Sequence, residues 1–139
     1  MENKFSEGLT KVFKQSKSEA KRLHSEFLST EHFLLGIIQT DNSAKEILEN
    51  LQADLTQIRR KIENMNVNTN PFSEEKENIS LTKLADYAVK RADLECRQYK
   101  ASEVNTVHLL LGILYKIEDP ATNILGAYDV DYENVETKY

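Results

Sequence analysis

The chain has 139 residues, 40% of them hydrophobic, and a formal net charge of −5, which is the size of one domain with enough apolar side chains for a core and excludes a disordered chain. The negative excess lies wholly in residues 64–139, while residues 1–63 are balanced, so neither half offers the positive field that phosphate backbones demand and nucleic-acid binding is set aside. One cysteine, Cys96, rules out an internal disulfide and a cysteine-built zinc site; no run of about 18 apolar residues spans a membrane, the lysine-punctuated first 25 residues lack a signal core, and the chain is expected in the cytoplasm.

The first predicted helix opens at or near Ser6 and carries Leu9, Val12, Phe13, Ser16, Ala20 and Leu23 at helical spacing, the stripe of an element with one buried face. Ser29-Thr30 caps the second by offering a side-chain oxygen to unpaired amides, Ser43 with Glu46 fits a capping box for the third, and Asp54 caps a fourth bearing Leu55, Ile58 and Ile62. Asn64 to Asn78 is polar, asparagine-rich and broken by Pro71, which predicts a surface linker against which Phe72 could dock. Thr82, Thr106, Asp119-Pro120 and Asp131 then open four further helices. A chain ending at Tyr139, inside its last helical turn, is expected to belong to something longer.

The two sets of helices are copies of each other. Ser29-Thr30-Glu31-His32-Phe33-Leu34-Leu35-Gly36-Ile37-Ile38 recurs 76 residues later as Asn105-Thr106-Val107-His108-Leu109-Leu110-Leu111-Gly112-Ile113-Leu114. The same offset carries Ser6 to Thr82, Leu9 to Ala85, Val12 to Ala88 and Ala20 to Cys96; beyond the motif one extra residue in the second copy aligns Ala44, Ile47 and Ile58 with Ala121, Ile124 and Val135. The expected fold is all-α, a pseudo-two-fold double repeat of two four-helix units: residues 1–63, a linker at 64–78, and residues 79–139.

Reactive constellations are missing from the sequence. Four glycines, Gly8, Gly36, Gly112 and Gly126, form no phosphate-cradling loop. His32 and His108 occupy equivalent first-turn positions without a second ligand one turn on, so a packed histidine bonded to the preceding loop is the preferred reading over a metal ligand; His24 reads as a solvated loop residue. Cys96 aligns with Ala20 on a buried face and reads as a small core thiol. Glycine inside a helix costs about 1 kcal/mol relative to alanine. Its recurrence at Gly36 and Gly112 therefore predicts that another helix crosses there with no room for a β-carbon. No catalytic residue and no metal site is assigned.

Phe5-Ser6 and the doubled Thr30–Gly36 and Thr106–Gly112 motifs resemble the signature of the Clp amino-terminal (double Clp repeat) domain, closest to the ClpC-type ATP-dependent Clp protease ATP-binding subunit, over nearly the whole chain. The resemblance implies a non-catalytic module that docks adaptor proteins and unfolded substrates for an ATP-driven ring feeding the ClpP peptidase. ATP and magnesium would belong to motor modules outside this chain, and the isolated domain would be a monomer. The alternatives are a stand-alone regulatory binding protein without a motor, and a reader of phosphorylated arginine, which some ClpC domains recognise. For the latter the resemblance points to Lys4, Ser6 and Glu31, with Glu31 pairing with the guanidinium; the second copy offers Thr82 and Val107, and Val107 cannot accept a hydrogen bond. Structural roles compete at each position: an acidic first-turn residue complements the helix dipole, and Lys4 and Ser6 read equally as a solvated cation and a cap.

Overall fold

The computed structural model describes residues 4–65 and 79–139. Eight helices lie among them: α1 (Glu7–Arg22), α2 (Thr30–Gln39), α3 (Ser43–Asn50), α4 (Leu55–Met65), α5 (Lys83–Gln98), α6 (Thr106–Leu114), α7 (Pro120–Gly126) and α8 (Tyr132–Lys138). The helix starts repeat at the predicted offset, including the extra residue before α7. Asn64 and Met65, assigned above to the linker, complete the last turn of α4, and the remainder of that segment, with Pro71 and Phe72, lies outside the described residues.

Most of the predicted caps stand. Ser6 and Thr82 accept the amides of Leu9 and Ala85 at 3.1 Å each, Asp54 accepts from Gln57 at 3.1 Å, Asp119 from Ala121 at 2.9 Å and Asp131 from Asn134 at 2.8 Å. Two caps sit one residue earlier than expected. Asn42, not Ser43, caps α3 through a 2.9 Å bond from the Lys45 amide, and Asn105, not Thr106, caps α6, accepting from Val107 and His108 at 2.9 and 3.1 Å; at α2 Ser29 holds the cap position with its hydroxyl 3.0 Å from His32 Nδ1. With Ser29 and Asn105 in the cap positions, Thr30 and Thr106 begin their helices with hydroxyls available for other partners.

The packed histidines complete these ends. Nδ1 of His32 accepts the Ser29 amide at 3.0 Å, and Nδ1 of His108 accepts that of Asn105 at 2.9 Å, so an imidazole stands where glutamate or glutamine closes the usual capping box. With Nδ1 accepting, the proton sits on Nε2. In His108 that nitrogen meets the Tyr139 hydroxyl at 2.9 Å; in His32 it is buried without a hydrogen-bond partner, because the counterpart of Tyr139 is the aliphatic Ile62.

Four helices end in a reversed turn made without glycine. His24, Gln52, Lys100 and Asp129 all have φ between 55° and 63°. The next residue in each case donates its amide back to the helix: Ser25 to Ala20, Ala53 to Leu48, Ala101 to Cys96 and Val130 to Leu125. His24 is thus a helix terminator rather than a mere loop residue.

One core serves both repeats. Leu9, Val12, Ala20, Phe33, Leu34 and Ile37 of the first are as fully buried as Ala85, Ala92, Cys96, Leu109, Leu110 and Ile113 of the second. α1 packs chiefly on α2 and α5 on α6. Both contacts pass over the repeated glycines: a β-carbon on Gly36 would fall 2.6 Å from the Val12 carbonyl oxygen and onto the Ser16 hydroxyl, and one on Gly112 would fall 2.5 Å from that of Ala88. The close-crossing expectation is met. Cys96 is fully buried, donates to the Ala101 carbonyl at 3.4 Å, and burial pushes its thiol up.

Four two-residue strands were not expected from the sequence: β1 (Lys4–Phe5), β2 (Phe27–Leu28), β3 (Ser80–Leu81) and β4 (Glu103–Val104). β1 pairs in parallel with β4, and β2 with β3, so the lead-in to each repeat is stitched to the bend between the first two helices of the other.

Candidate functional site

The strand exchange decides which helix starts become neighbours. Ser6 donates its amide to Val104 at 2.8 Å, and Gly8 lies 3.9 Å, measured from a built β-carbon, from the Thr106 methyl; the start of α1 therefore adjoins the start of α6. By the same exchange Thr82 donates its amide to Leu28 at 3.0 Å, which sets the start of α5 beside the Ser29–Glu31 turn. Of the residues singled out from the sequence, Lys4 and Ser6 thus share a neighbourhood with Val107, and Thr82 shares one with Glu31. Glu31 is half-buried, whereas Val107 is wholly buried and offers the surface nothing.

The Thr30 and Thr106 hydroxyls tie the repeats together. Thr30 Oγ1 donates to Asp119 Oδ1 at 2.6 Å, and Thr106 Oγ1 accepts the Ala44 amide at 3.2 Å, so each α2-type helix reaches the start of the other repeat's third helix. Asp119 is 1% exposed, with Oδ2 unpartnered. Burial drives its carboxyl upward, against the lowering effect of the Thr30 and Ala121 hydrogen bonds.

Buried charge also anchors α1 and α5. Glu19 receives Arg22 at 2.6 Å and the Gln39 amide; burial opposes its ionisation, but these bonds and the nearby arginines outweigh it and hold the carboxyl below its usual range. Its counterpart Glu95 takes Arg91 at 3.1 Å and the Tyr132 hydroxyl at 2.5 Å. The Arg91 guanidinium carbon sits over Tyr115, 3.7 Å from the ring centre. Tyr128 and Tyr132 are part of the core's edge, while Tyr115 is 47% exposed.

Where the two repeats meet, the surface opens into an apolar groove of about 260 Å³ lined by Phe5, Phe13, Lys17, Leu28, Phe33, Ile79, Leu81 and Val89. Phe5 and Leu81 are counterparts under the repeat, as are Phe13 and Val89, so the groove straddles the pseudo-two-fold axis. It is not symmetric. Phe5, Phe13 and Phe33 form a continuous aromatic run with ring centres 5.3 Å apart at each step, whereas their counterparts Leu81, Val89 and Leu109 are aliphatic. Phe5 is 45% and Leu81 39% exposed, two large apolar side chains side by side that a packed surface does not need. Among the described residues no cluster of three metal-ligating side chains exists, and no helix is long and apolar enough to cross a membrane.

The profile of the Clp repeat (R) N-terminal domain matches residues 4–128. The chain belongs to this family. A Chlamydia pneumoniae protein described as a probable ATP-dependent Clp protease ATP-binding subunit is 31% identical over 136 residues, 97% of this chain but only 16% of that relative's length. The N-terminal domain of Hsp104 from Candida albicans superposes with a TM-score of 0.79 at 20% identity, covering 97% of this chain and 88% of the other. A ClpV N-domain solved in complex with a VipB peptide superposes with a TM-score of 0.77 at 13% identity, covering 95% and 82%. At these identities the structural matches speak for the fold, and the eight-helix Clp N-domain architecture expected from the double motif is the one observed.

The groove was legible in the sequence only in fragments. Phe5 and Phe33 belong to the motif and Phe13 to the apolar stripe of α1; Leu81 and Ile79 carry no sequence signal, since their joining to Phe5 depends on strand pairs between the repeats.

Proposed function

We propose that this chain is the recruitment module of a Clp-type unfoldase: it holds apolar segments of unfolded substrates or adaptor proteins in the groove between its repeats, for delivery by ATP-driven motor modules to the ClpP peptidase in the cytoplasm. The observation that carries this reading is the groove itself, an open, aromatic-floored cleft at the pseudo-two-fold axis with partly exposed Phe5 and Leu81 in its lining. An extended segment placing one or two large side chains there would bury apolar area on both partners, at about 25 cal/mol per Å² before the cost of association, which favours weak, reversible capture of the kind a hand-over step requires. The ClpV N-domain, with the same fold, has been solved with a peptide bound, which supports peptide docking as a use of this scaffold. Reduced, carboxymethylated α-lactalbumin, which stays unfolded, serves as probe. The double variant Phe5→Ser, Leu81→Ser alters only partly exposed positions and should weaken its binding roughly tenfold or more, by the area argument. Undiminished binding by a folded variant would remove the groove from the proposal.

A second reading rests on the placement of Glu31 beside the start of α5. There a carboxylate with the amides and hydroxyl of the Thr82 turn offers complementary halves for a guanidinium and a phosphate, the chemistry of phosphoarginine. In the opposite pairing Lys4 and Ser6 face Val107, which supplies no acceptor, so one working site per chain is proposed. Glu31→Gln should abolish binding of a phosphoarginine peptide and leave groove binding untouched; persistence of phosphoarginine binding would refute the assignment.

A further inference from the structure

Among the described residues the groove has one charged lining residue. Lys17 is the only ionisable side chain among the eight that line it. It takes part in no ion pair among the described residues, and neither do Lys14, Lys21 and Lys83, whereas Lys11 pairs with Glu7, Arg22 with Glu19, Lys90 with Asp86, Arg91 with Glu95 and Arg97 with Asp93. The helix neighbours of Lys17 one turn away are Lys14 and Lys21, and Phe5, Phe13 and Val89 are each followed or preceded in the chain by lysine. Among the described residues no aspartate or glutamate lines the groove, and none adjoins a lining residue in sequence.

The repeat shows that this sign is local to one half. The counterpart of Lys17 is Asp93, which is absent from the groove lining and is bonded to Arg97 at 2.9 Å. The groove is therefore a one-sided device, with an aromatic floor and an exposed lysine in its lining, a side chain whose (CH₂)₄ stem suits apolar surface while its ammonium suits water.

We infer that the groove selects apolar segments carrying a carboxylate, an aspartate or glutamate next to a large aliphatic or aromatic residue, with Lys17 as the group that reads the charge. This rests on the docking reading above and adds the chemical class of the segment. An apolar segment flanked by lysine or arginine would bring a cation against Lys17 and be discriminated against, although the net charge of −5 would favour it at long range. Local contact and overall field thus predict opposite preferences, which makes the inference decidable.

The test uses three fluorescein-labelled decapeptides with one Phe-Leu core flanked by aspartate, by serine or by lysine, titrated with the intact chain at low and physiological ionic strength. The aspartate peptide should bind roughly two- to fivefold more tightly than the serine peptide, the range of an exposed ion pair, and the lysine peptide more weakly than both. Lys17→Ala should equalise the three, and Lys17→Glu should reverse their order. Lys61→Glu on α4, with the same change of net charge outside the groove lining, should leave the order intact. Equal binding of all three peptides to the native chain would overturn the charge selection and leave groove docking standing. Failure of all three to bind would overturn both. A Lys61→Glu effect as large as that of Lys17→Glu would also overturn it, by assigning the preference to the overall field.

Discussion

Replacing Gly112 by alanine should destabilise the fold, contrary to what the same change does in an ordinary helix. The added methyl would stand 2.5 Å from the Ala88 carbonyl oxygen and 3.1 Å from the Ala92 amide nitrogen, both in the backbone of α5. Carbon and oxygen rest at about 3.3–3.6 Å even in close C–H···O contacts, so α5 and α6 must part by nearly 1 Å along the interface where Ala88, Ala92, Leu109 and Ile113 are buried. Overpacking a well-filled core costs roughly 1–3 kcal/mol. The upper end applies here, because the obstruction is main chain that has no rotamer to change. Against this, alanine gains about 1 kcal/mol of helix propensity over glycine. The balance is a net loss of about 1–2 kcal/mol, read as a lowered midpoint with unchanged slope in urea unfolding followed by circular dichroism. Gly126→Ala is the internal control: no atom lies within 4 Å of its added methyl, and its backbone is in no left-handed conformation, so it should be neutral or slightly stabilising. A Gly112→Ala chain as stable as the native one, or more so, would refute the close-crossing argument.

Other expected outcomes follow from the cross-repeat contacts and the helix ends. Thr30→Val removes the hydroxyl that donates to buried Asp119 and should cost about 1.5–3 kcal/mol, the range for a hydrogen bond to a charged group; a loss under about 0.5 kcal/mol in urea unfolding would mean that the bond is dispensable. Gln52→Gly should stabilise by up to about 1 kcal/mol, since Gln52 holds φ at 63° in a helix-ending turn that glycine adopts without strain; destabilisation would count against the strain reading. Burial lowers the affinity of His32 and His108 for protons below that of an ordinary histidine, despite Glu31 and Glu19 near the first and Glu95 near the second. The unfolded chain then binds more protons, so stability is full above the ordinary value of 6.5 and is lost as pH falls below it toward the folded values. Asp119 acts in the opposite sense: its raised carboxyl is least favourable when ionised, and that cost is relieved as pH falls through its folded value. His32→Gln keeps a side-chain acceptor for the Ser29 amide without a titrating ring, so unfolding midpoints between pH 7 and 5 should decline less steeply; an unchanged slope would assign the pH dependence elsewhere.

Much of the fold was legible because its signals are local. Capping side chains and the 3.6-residue stripes are set within one or two turns, and the doubled Thr-x-His motif exposed the repeat and its offset. Glycines at matching places announced the helix crossings, since their cost in a helix demands a packing reason. The misplacements are local competitions too: Asn42 and Asn105 reach the free amides one residue ahead of Ser43 and Thr106, and a histidine in the box position hides the box. Helix ends were harder to read, because His24, Gln52, Lys100 and Asp129 stand where glycine would have marked the turn. What the sequence withheld is non-local. Two-residue strands have no alternation to detect, and no period tells which lead-in pairs with which bend. That pairing sets Thr82 near Glu31 and Ser6 near Val107, and it brings Ile79 and Leu81 beside Phe5 to make the groove.

The most direct measurement is an amide-resolved NMR titration of the intact chain with the carboxymethylated α-lactalbumin probe. The account predicts shifts at Phe5, Phe13, Leu28, Phe33, Leu81 and Val89 on both sides of the pseudo-two-fold axis, lost in the Phe5→Ser, Leu81→Ser variant. Saturable binding whose shifts lie on α4 and α8 and spare these residues would contradict it.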